Sequence, residues 1–193
     1  MQNTIQQIVD EILSLYEKFG DEDYIGEPVS QIEHMCQCAQ LAEVEGYGDE
    51  VILAAFFHDI GHLCENEIPF QSMDGYGTVD HEKIGADYLL EKGFSPVVAK
   101  LVTSHVAAKR YLTFKFPDYY NQLSDASKKT LQFQGGVMTP EEAEAFEHDS
   151  LFHIYIKLRR WDEAAKIENL PLPSLEIYKE KMINHLQKQT QNV

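Results

Sequence analysis

Two adjacent residues, His58 and Asp59, sit inside the apolar run Phe56-Phe57-His58-Asp59-Ile60-Gly61-His62. An imidazole and a carboxylate buried among aromatic and aliphatic side chains are costly unless something compensates them. A metal ion does so, because neutral imidazole nitrogen and carboxylate oxygen are natural ligands for Fe, Mn, Zn or Mg. An isolated pair of this kind reads by default as a core histidine beside a capping or salt-bridged aspartate. This pair has company: His34, His58, His81 and His105 follow one another at intervals of 24, 23 and 24 residues. A short helix and its connection consume about that length, so each element can return one imidazole to the same level of a bundle. The spacing predicts a metal site. Asp162, in Leu158-Arg159-Arg160-Trp161-Asp162, could add a second carboxylate. It could equally pair with Arg159, three residues earlier on the surface face of a helix.

The elements that must position these residues read as helices. Ile5, Ile8, Val9, Ile12, Leu13, Tyr16 and Phe19 recur at three and four residues, predicting a first helix that Gly20 ends. A turn-rich stretch, Asp21 to Val29, holds Tyr24 and Glu27. Ser30 and Glu33 form a capping box that opens a helix through Glu45 and carries His34, with Gly46 and Gly48 as its stop. A single helix from Asp49 to Leu63 is expected to carry the His-Asp doublet. Glu65 to Thr78, with Pro69, Gly75 and Gly77, reads as a long loop, a length that often has a task. Further helices are predicted over Asp80–Lys92, Ser95–Tyr111 with Pro96 in its first turn, Ser124–Phe133, Thr139–Phe146, Asp149–Ala165 and Ser174–Lys188. No stretch alternates with period two for long enough to make a strand. The prediction is an all-α bundle, one domain over residues 1–193.

Composition narrows the partners. Asp and Glu total 32 against 16 Lys and Arg, a net charge of −16 that repels nucleic acid and anionic lipid. Cations near the proposed site therefore carry information, and Lys109 lies one turn beyond His105. Arg110 and Arg160 read as surface residues pointing elsewhere. No apolar run approaches the ~18 residues of a membrane span. The start, Met1-Gln2-Asn3-Thr4, lacks a basic then apolar pattern, so a cytoplasmic protein is expected. Cys36, Cys38 and Cys64 have no framework spacing and read as core thiols in a reducing compartment.

The order His34, His58-Asp59 and a distant Asp162 resembles the HD-domain superfamily, and the added His81 and His105 resemble its dinuclear members. Tyr24-Ile25-Gly26-Glu27, Gln31-Ile32-Glu33-His34, His58-Asp59-Ile60-Gly61-His62, Ser124-Asp125-Ala126-Ser127, Gln134-Gly135-Gly136-Val137-Met138 and Arg159-Arg160-Trp161-Asp162 together resemble the mixed-valent di-iron HD oxygenases that cleave phosphonates. Val137 is a small departure with little bearing on polar chemistry. The resemblance implies two iron ions in the Fe(II)/Fe(III) state, one held by His34, His58, Asp59 and Asp162, the other by Asp59, His81 and His105, with Asp59 bridging. It implies that Tyr24 occupies an iron position until substrate arrives, and that Glu27 pairs with a substrate ammonium. His62, Lys109, Ser127 and Arg159 would hold the phosphonate. The implied reaction takes a small organophosphonate, foremost (R)-2-amino-1-hydroxyethylphosphonate, with O2 as co-substrate, to glycine and phosphate; an upstream 1-hydroxylating oxygenase would supply it. Other 1-substituents remain open, because Glu27 favours an amine only modestly and could instead complement a helix N-terminus. Tyr24 could likewise be an ordinary turn residue. Two other functions use the same residues: an HD phosphohydrolase with a metal-bound water as nucleophile, and a non-catalytic HD module that senses a small molecule.

Overall fold

A computed structural model describes residues 4–24, 26–64, 72–75 and 77–191. The Met1-Gln2-Asn3 start, Ile25 of the Tyr24 turn and much of the expected loop between 65 and 78, Pro69 included, lie outside the described residues. Every regular element among them is a helix, and the only β pairing is two isolated bridges, Asp23 with Ser30 and Ser72 with Thr78. The helices are α1 (Ile5–Phe19), α2 (Gln31–Val44), α3 (Asp49–Phe57), α4 (Ile60–Cys64), α5 (His81–Glu91), α6 (Pro96–Lys115), α7 (Tyr119–Gln122), α8 (Asp125–Phe133), α9 (Pro140–Glu147), α10 (Phe152–Ala164) and α11 (Glu176–Gln191). None is long and apolar enough to cross a membrane.

Local chemistry fixes where the site-bearing helices begin. The Ser30 hydroxyl accepts from the Glu33 N–H at 3.4 Å, and the Glu33 carboxylate accepts from the Ser30 N–H at 2.7 Å, which satisfies two end donors of α2 at once. That box pins the first turn of α2, and His34 donates its N–H to the Ser30 carbonyl at 3.0 Å. Thr139 and Glu142 make the same box for α9. Ser95 caps α6, with Pro96 in the first turn. The Ser95 N–H is also satisfied by buried His185 Nε2 at 3.1 Å, across 90 residues of chain.

One helix was expected from Asp49 to Leu63; the chain makes two, broken at the His58-Asp59 doublet. His58 Nδ1 lies 2.8 Å from the Ala55 carbonyl, the acceptor that an unbroken α-helix would give to the Asp59 N–H. The sequence reading also ends α6 a turn too early, starts α10 at Asp149 instead of Phe152, and misses α7.

The main core packs α2, α3, α6 and α10 around Met35, Leu53, Phe56, Phe57, Leu101 and Leu158, all of them fully buried. A smaller core around Tyr111, Leu112, Tyr119 and Met138 seats α7 and α9 against α6. Cys36, Cys38 and Cys64 are buried and form no disulfide, as their positions suggested. Between α4 and α5 the backbones nearly touch: a Cβ on Gly61 would stand 1.9 Å from the His81 carbonyl oxygen.

Candidate metal centre and substrate cavity

Asp59 is the centre of the arrangement. Its Oδ2 faces His34 Nε2 at 3.6 Å and His58 Nε2 at 3.4 Å. Its Oδ1 faces His81 Nε2 and His105 Nε2, each at 3.3 Å. On the first side Asp162 Oδ1 stands 3.5 Å from His34 Nε2. Thus one carboxylate divides its oxygens between two groups of donors that arrive on α2, the α3–α4 break, α5, α6 and α10. All six side chains are buried.

The imidazoles are oriented from behind. His34 Nδ1 meets the Ala165 carbonyl at 2.9 Å, His58 Nδ1 that of Ala55 at 2.8 Å, and His105 Nδ1 that of Val102 at 2.8 Å. His81 Nδ1 faces the Thr78 carbonyl at a longer 3.3 Å. A carbonyl only accepts, so each ring carries its proton on Nδ1 and turns an Nε2 lone pair inward. Those lone pairs then confront each other: His34 and His58 Nε2 are 3.0 Å apart, and so are His81 and His105 Nε2. Facing lone pairs repel unless a cation lies between them. Two ligands bound at about 2.1 Å and at right angles to one ion subtend an edge of about 3.0 Å. The donor set fits two cations.

Charge within the cluster points the same way. Burial opposes ionisation of Asp59, but the imidazoles of His58, His105 and His81 packed around it hold it well below the usual carboxylate range. Burial opposes ionisation of Asp162 as well, and the Arg159 guanidinium overcomes it. Both carboxylates are anionic although buried.

The sequence left Asp162 undecided between ligand and partner of Arg159; its two oxygens divide between Arg159 and the donor cluster. Arg159 Nη1 donates to Asp162 Oδ2 at 2.6 Å while Oδ1 faces His34, and neither residue is at the surface. Arg159 Nε is shared between Tyr119 and Glu163, each at 3.1 Å, but its buried Nη2 finds no partner among the described residues.

Beside the cluster lies a cavity that leaves about 110 Å³ for the centres of water-sized molecules. Tyr24, Glu27, His62, Lys109, Ser127 and Arg159 all line it, with Asp59, His81, His105 and Asp162 forming its inner wall. Tyr24 is no ordinary turn residue. Its ring stacks on His34 with centroids 4.1 Å apart, and its hydroxyl, raised well above the ordinary phenol range by burial and by Asp59, lies against that carboxylate. His62 stacks on His81 at 4.1 Å, and its Nδ1 accepts the Thr78 N–H at 3.4 Å, leaving Nε2–H as a donor. Its ligand atoms also fall close to those of Asp59 and His81. Gly77 makes that stack possible: a Cβ there would stand 2.4 Å from His62 Cε1.

Lys109 Nζ donates to Thr130 Oγ1 at 2.9 Å, and burial, then Arg159, lowers its pKa to about 7. Arg110, expected at the surface, is instead a partly buried clamp. Its Nε donates to the Gly136 carbonyl at 2.9 Å, and its Nη2 donates to both Glu142 oxygens. Arg160 is exposed, as expected.

Three lining or flanking groups were given no role in the sequence reading. Gln31 and Gln134 line the cavity, and each has a buried Oε1 without a partner among the described residues. Lys166 binds Glu27 at 2.6 Å across 139 residues of chain, a separation that leaves no periodic or local signal to find.

Comparison with known proteins fits this geometry. The HD domain family model matches residues 32–151, a span that holds His34, His58, Asp59, His81 and His105. Uncharacterized protein L432 of Acanthamoeba polyphaga mimivirus is 45% identical over 99% of this chain and 89% of its own. The [1-hydroxy-2-(trimethylamino)ethyl]phosphonate dioxygenase (glycine-betaine-forming) of Leisingera caerulea is 43% identical, over 86% of this chain and 84% of its own. The hydroxymethylphosphonate dioxygenase of Gimesia maris is 38% identical over the same shares. The chain belongs to the HD domain family, in the oxygenase branch that these two dioxygenases represent.

Proposed function

We propose that the chain is a di-iron oxygenase that cleaves the carbon–phosphorus bond of a 1-hydroxyphosphonate, with (R)-2-amino-1-hydroxyethylphosphonate as the foremost substrate. The single observation that carries this reading is the Asp59 carboxylate divided between two pairs of imidazoles. Nitrogen and oxygen donors of this kind suit non-haem iron. His34, His58, Asp59 and Asp162 would hold one ion, and Asp59, His81 and His105 the other. Bound iron would supply the one-electron chemistry through which dioxygen reacts. The atoms balance without an external reductant, because the amino-hydroxyphosphonate and one O2 together contain the atoms of glycine and phosphate.

The protein's own groups bind and orient. Lys109 and Arg159, whose buried Nη2 has no partner among the described residues, line the cavity of a strongly acidic chain, which supports an anionic substrate. His62 Nε2–H and Ser127 add donors on the same wall. Arriving phosphonate would stabilise the Lys109 ammonium against the burial that depresses it. Tyr24, over His34 and against Asp59, would guard the inner end until substrate displaces it. Glu27 would meet the substrate amine. Residues 1–193 would act as one HD domain.

A metal-dependent phosphohydrolase remains the second reading, on the strength of the same donors. The small cavity favours a few-atom substrate over a nucleotide, and Tyr24 and Glu27 have no task in hydrolysis. Iron-loaded protein supplied anaerobically with the amino-hydroxyphosphonate decides between them. The oxygenase yields glycine and phosphate only after oxygen is admitted, whereas phosphate released without oxygen means hydrolysis.

A further inference from the structure

Glu27 is not waiting for a substrate cation; it already has one. Lys166 Nζ lies 2.6 Å from Glu27 Oε1, with the two side chains only 17% and 9% exposed. The same ammonium stands 5.9 Å from the centre of the Tyr24 ring. At its base, Lys166 is held by its N–H to the Ala164 carbonyl at 2.9 Å, and it follows Ala165, the carbonyl that orients His34. The Tyr24 turn is equally tight, since the Glu27 N–H bonds the Tyr24 carbonyl at 2.9 Å. Glu27 and Lys166 also line a second recess that shares Ser127 and Arg159 with the substrate cavity, so a displaced ammonium has a place to go.

We propose that Lys166 determines substrate choice: it neutralises Glu27 when the substrate has no cation, and a substrate ammonium displaces it when one is present. This rests on the phosphonate-oxygenase reading of the cavity. Selectivity is then the difference between two similar ion pairs, which keeps it modest. A substrate without an amine leaves the Lys166 pair intact, and the pocket tolerates it. Removing Lys166 changes the balance, because a largely buried carboxylate left without its partner is costly until another cation arrives. An ammonium substrate recovers that loss and an uncharged one does not.

The test is calorimetric binding under argon, with metal-loaded enzyme and two probes: 2-amino-1-hydroxyethylphosphonate and hydroxymethylphosphonate. Lys166→Met should raise the affinity ratio in favour of the amine by about tenfold. Lys166→Arg should keep the wild-type ratio, and adding Glu27→Gln to Lys166→Met should abolish the gain. Lys166→Gln carries the same expectation as Lys166→Met should the latter not fold. Equal changes for both probes, or a lower ratio, would overturn the proposal and leave Lys166 as a brace for the turn. Wild-type enzyme that binds both probes but releases no phosphate in oxygen ends the oxygenase reading, while the affinity ratio still decides the role of Lys166. Binding of neither probe ends both.

Discussion

The two walls of the cavity are built differently. The inner wall belongs to a donor cluster, from His34 to Asp162, that stands on α2, α5, α6, α10 and the α3–α4 break, and each imidazole of that cluster is oriented by a backbone carbonyl. The outer wall takes Tyr24 and Glu27 from a turn, and it leaves Arg159 Nη2, Gln31 Oε1 and Gln134 Oε1 buried without partners among the described residues. Donors that must hold ions in one geometry are fixed in advance. Groups that must exchange partners on binding sit on a turn or keep spare hydrogen-bonding capacity. Under the proposed function, the contrast would assign rigidity to metal retention and adaptability to substrate choice.

Four experiments can break or sharpen it. The largest effect is expected for Asp59→Ala, which removes the carboxylate common to both donor groups. Metal content should fall below one ion per chain, and turnover by more than about 100-fold, since even outer-sphere changes cost 10–100-fold. Two ions retained by elemental analysis would show that Asp59 does not join the halves. Next is Gly61→Ala, whose methyl would press on the His81 backbone. A destabilisation of about 2–3 kcal/mol, lowering the melting temperature by about 5–10 °C, is expected together with weaker metal retention. An unchanged melt would mean that α4 and α5 can part freely.

Tyr24→Phe should leave metal content intact while altering the absorption spectrum and kinetics of the iron-loaded protein, because only the outer wall changes. Loss of metal would move Tyr24 to the rigid side of the comparison. The smallest effect concerns Lys109. In the unfolded chain it keeps its proton to about pH 10, but in the folded chain only to about 7. Between those values the unfolded state binds more protons, so the cost of burying Lys109 shrinks and stability rises with pH from about 7 to about 10. At pH 8 a phosphonate dianion should restore the ammonium, and calorimetry in buffers of different ionisation enthalpy should detect uptake of up to about one proton. Lys109→Met should abolish the uptake. Persistent uptake in that variant would assign the proton to another group.

The fold was largely readable because helix periodicity and capping are local. Ser30 with Glu33 and Thr139 with Glu142 announce their helices within four residues, and both boxes form. The regular return of histidines was readable as well, and the structure brings all four to Asp59. The break at His58-Asp59 was not, since nothing local signals that a side chain will take the Ala55 carbonyl. Lys166 on Glu27 and the Arg110 clamp on the Gly136 turn join segments 139 and 26 residues apart, where neither period nor spacing carries information. Asp162 was ambiguous for a sound reason: one of its oxygens takes Arg159 while the other faces His34 in the donor cluster.

The missing side chain at Gly61 acts as a spacer of zero thickness. It lets α4 lie directly on the backbone that presents His81, and so decides how closely the two sets of imidazoles flank one carboxylate. Any larger residue there would act as a shim, widening the gap without touching a single donor atom. The dimensions of the centre are therefore set at a position that no inventory of ligands would include.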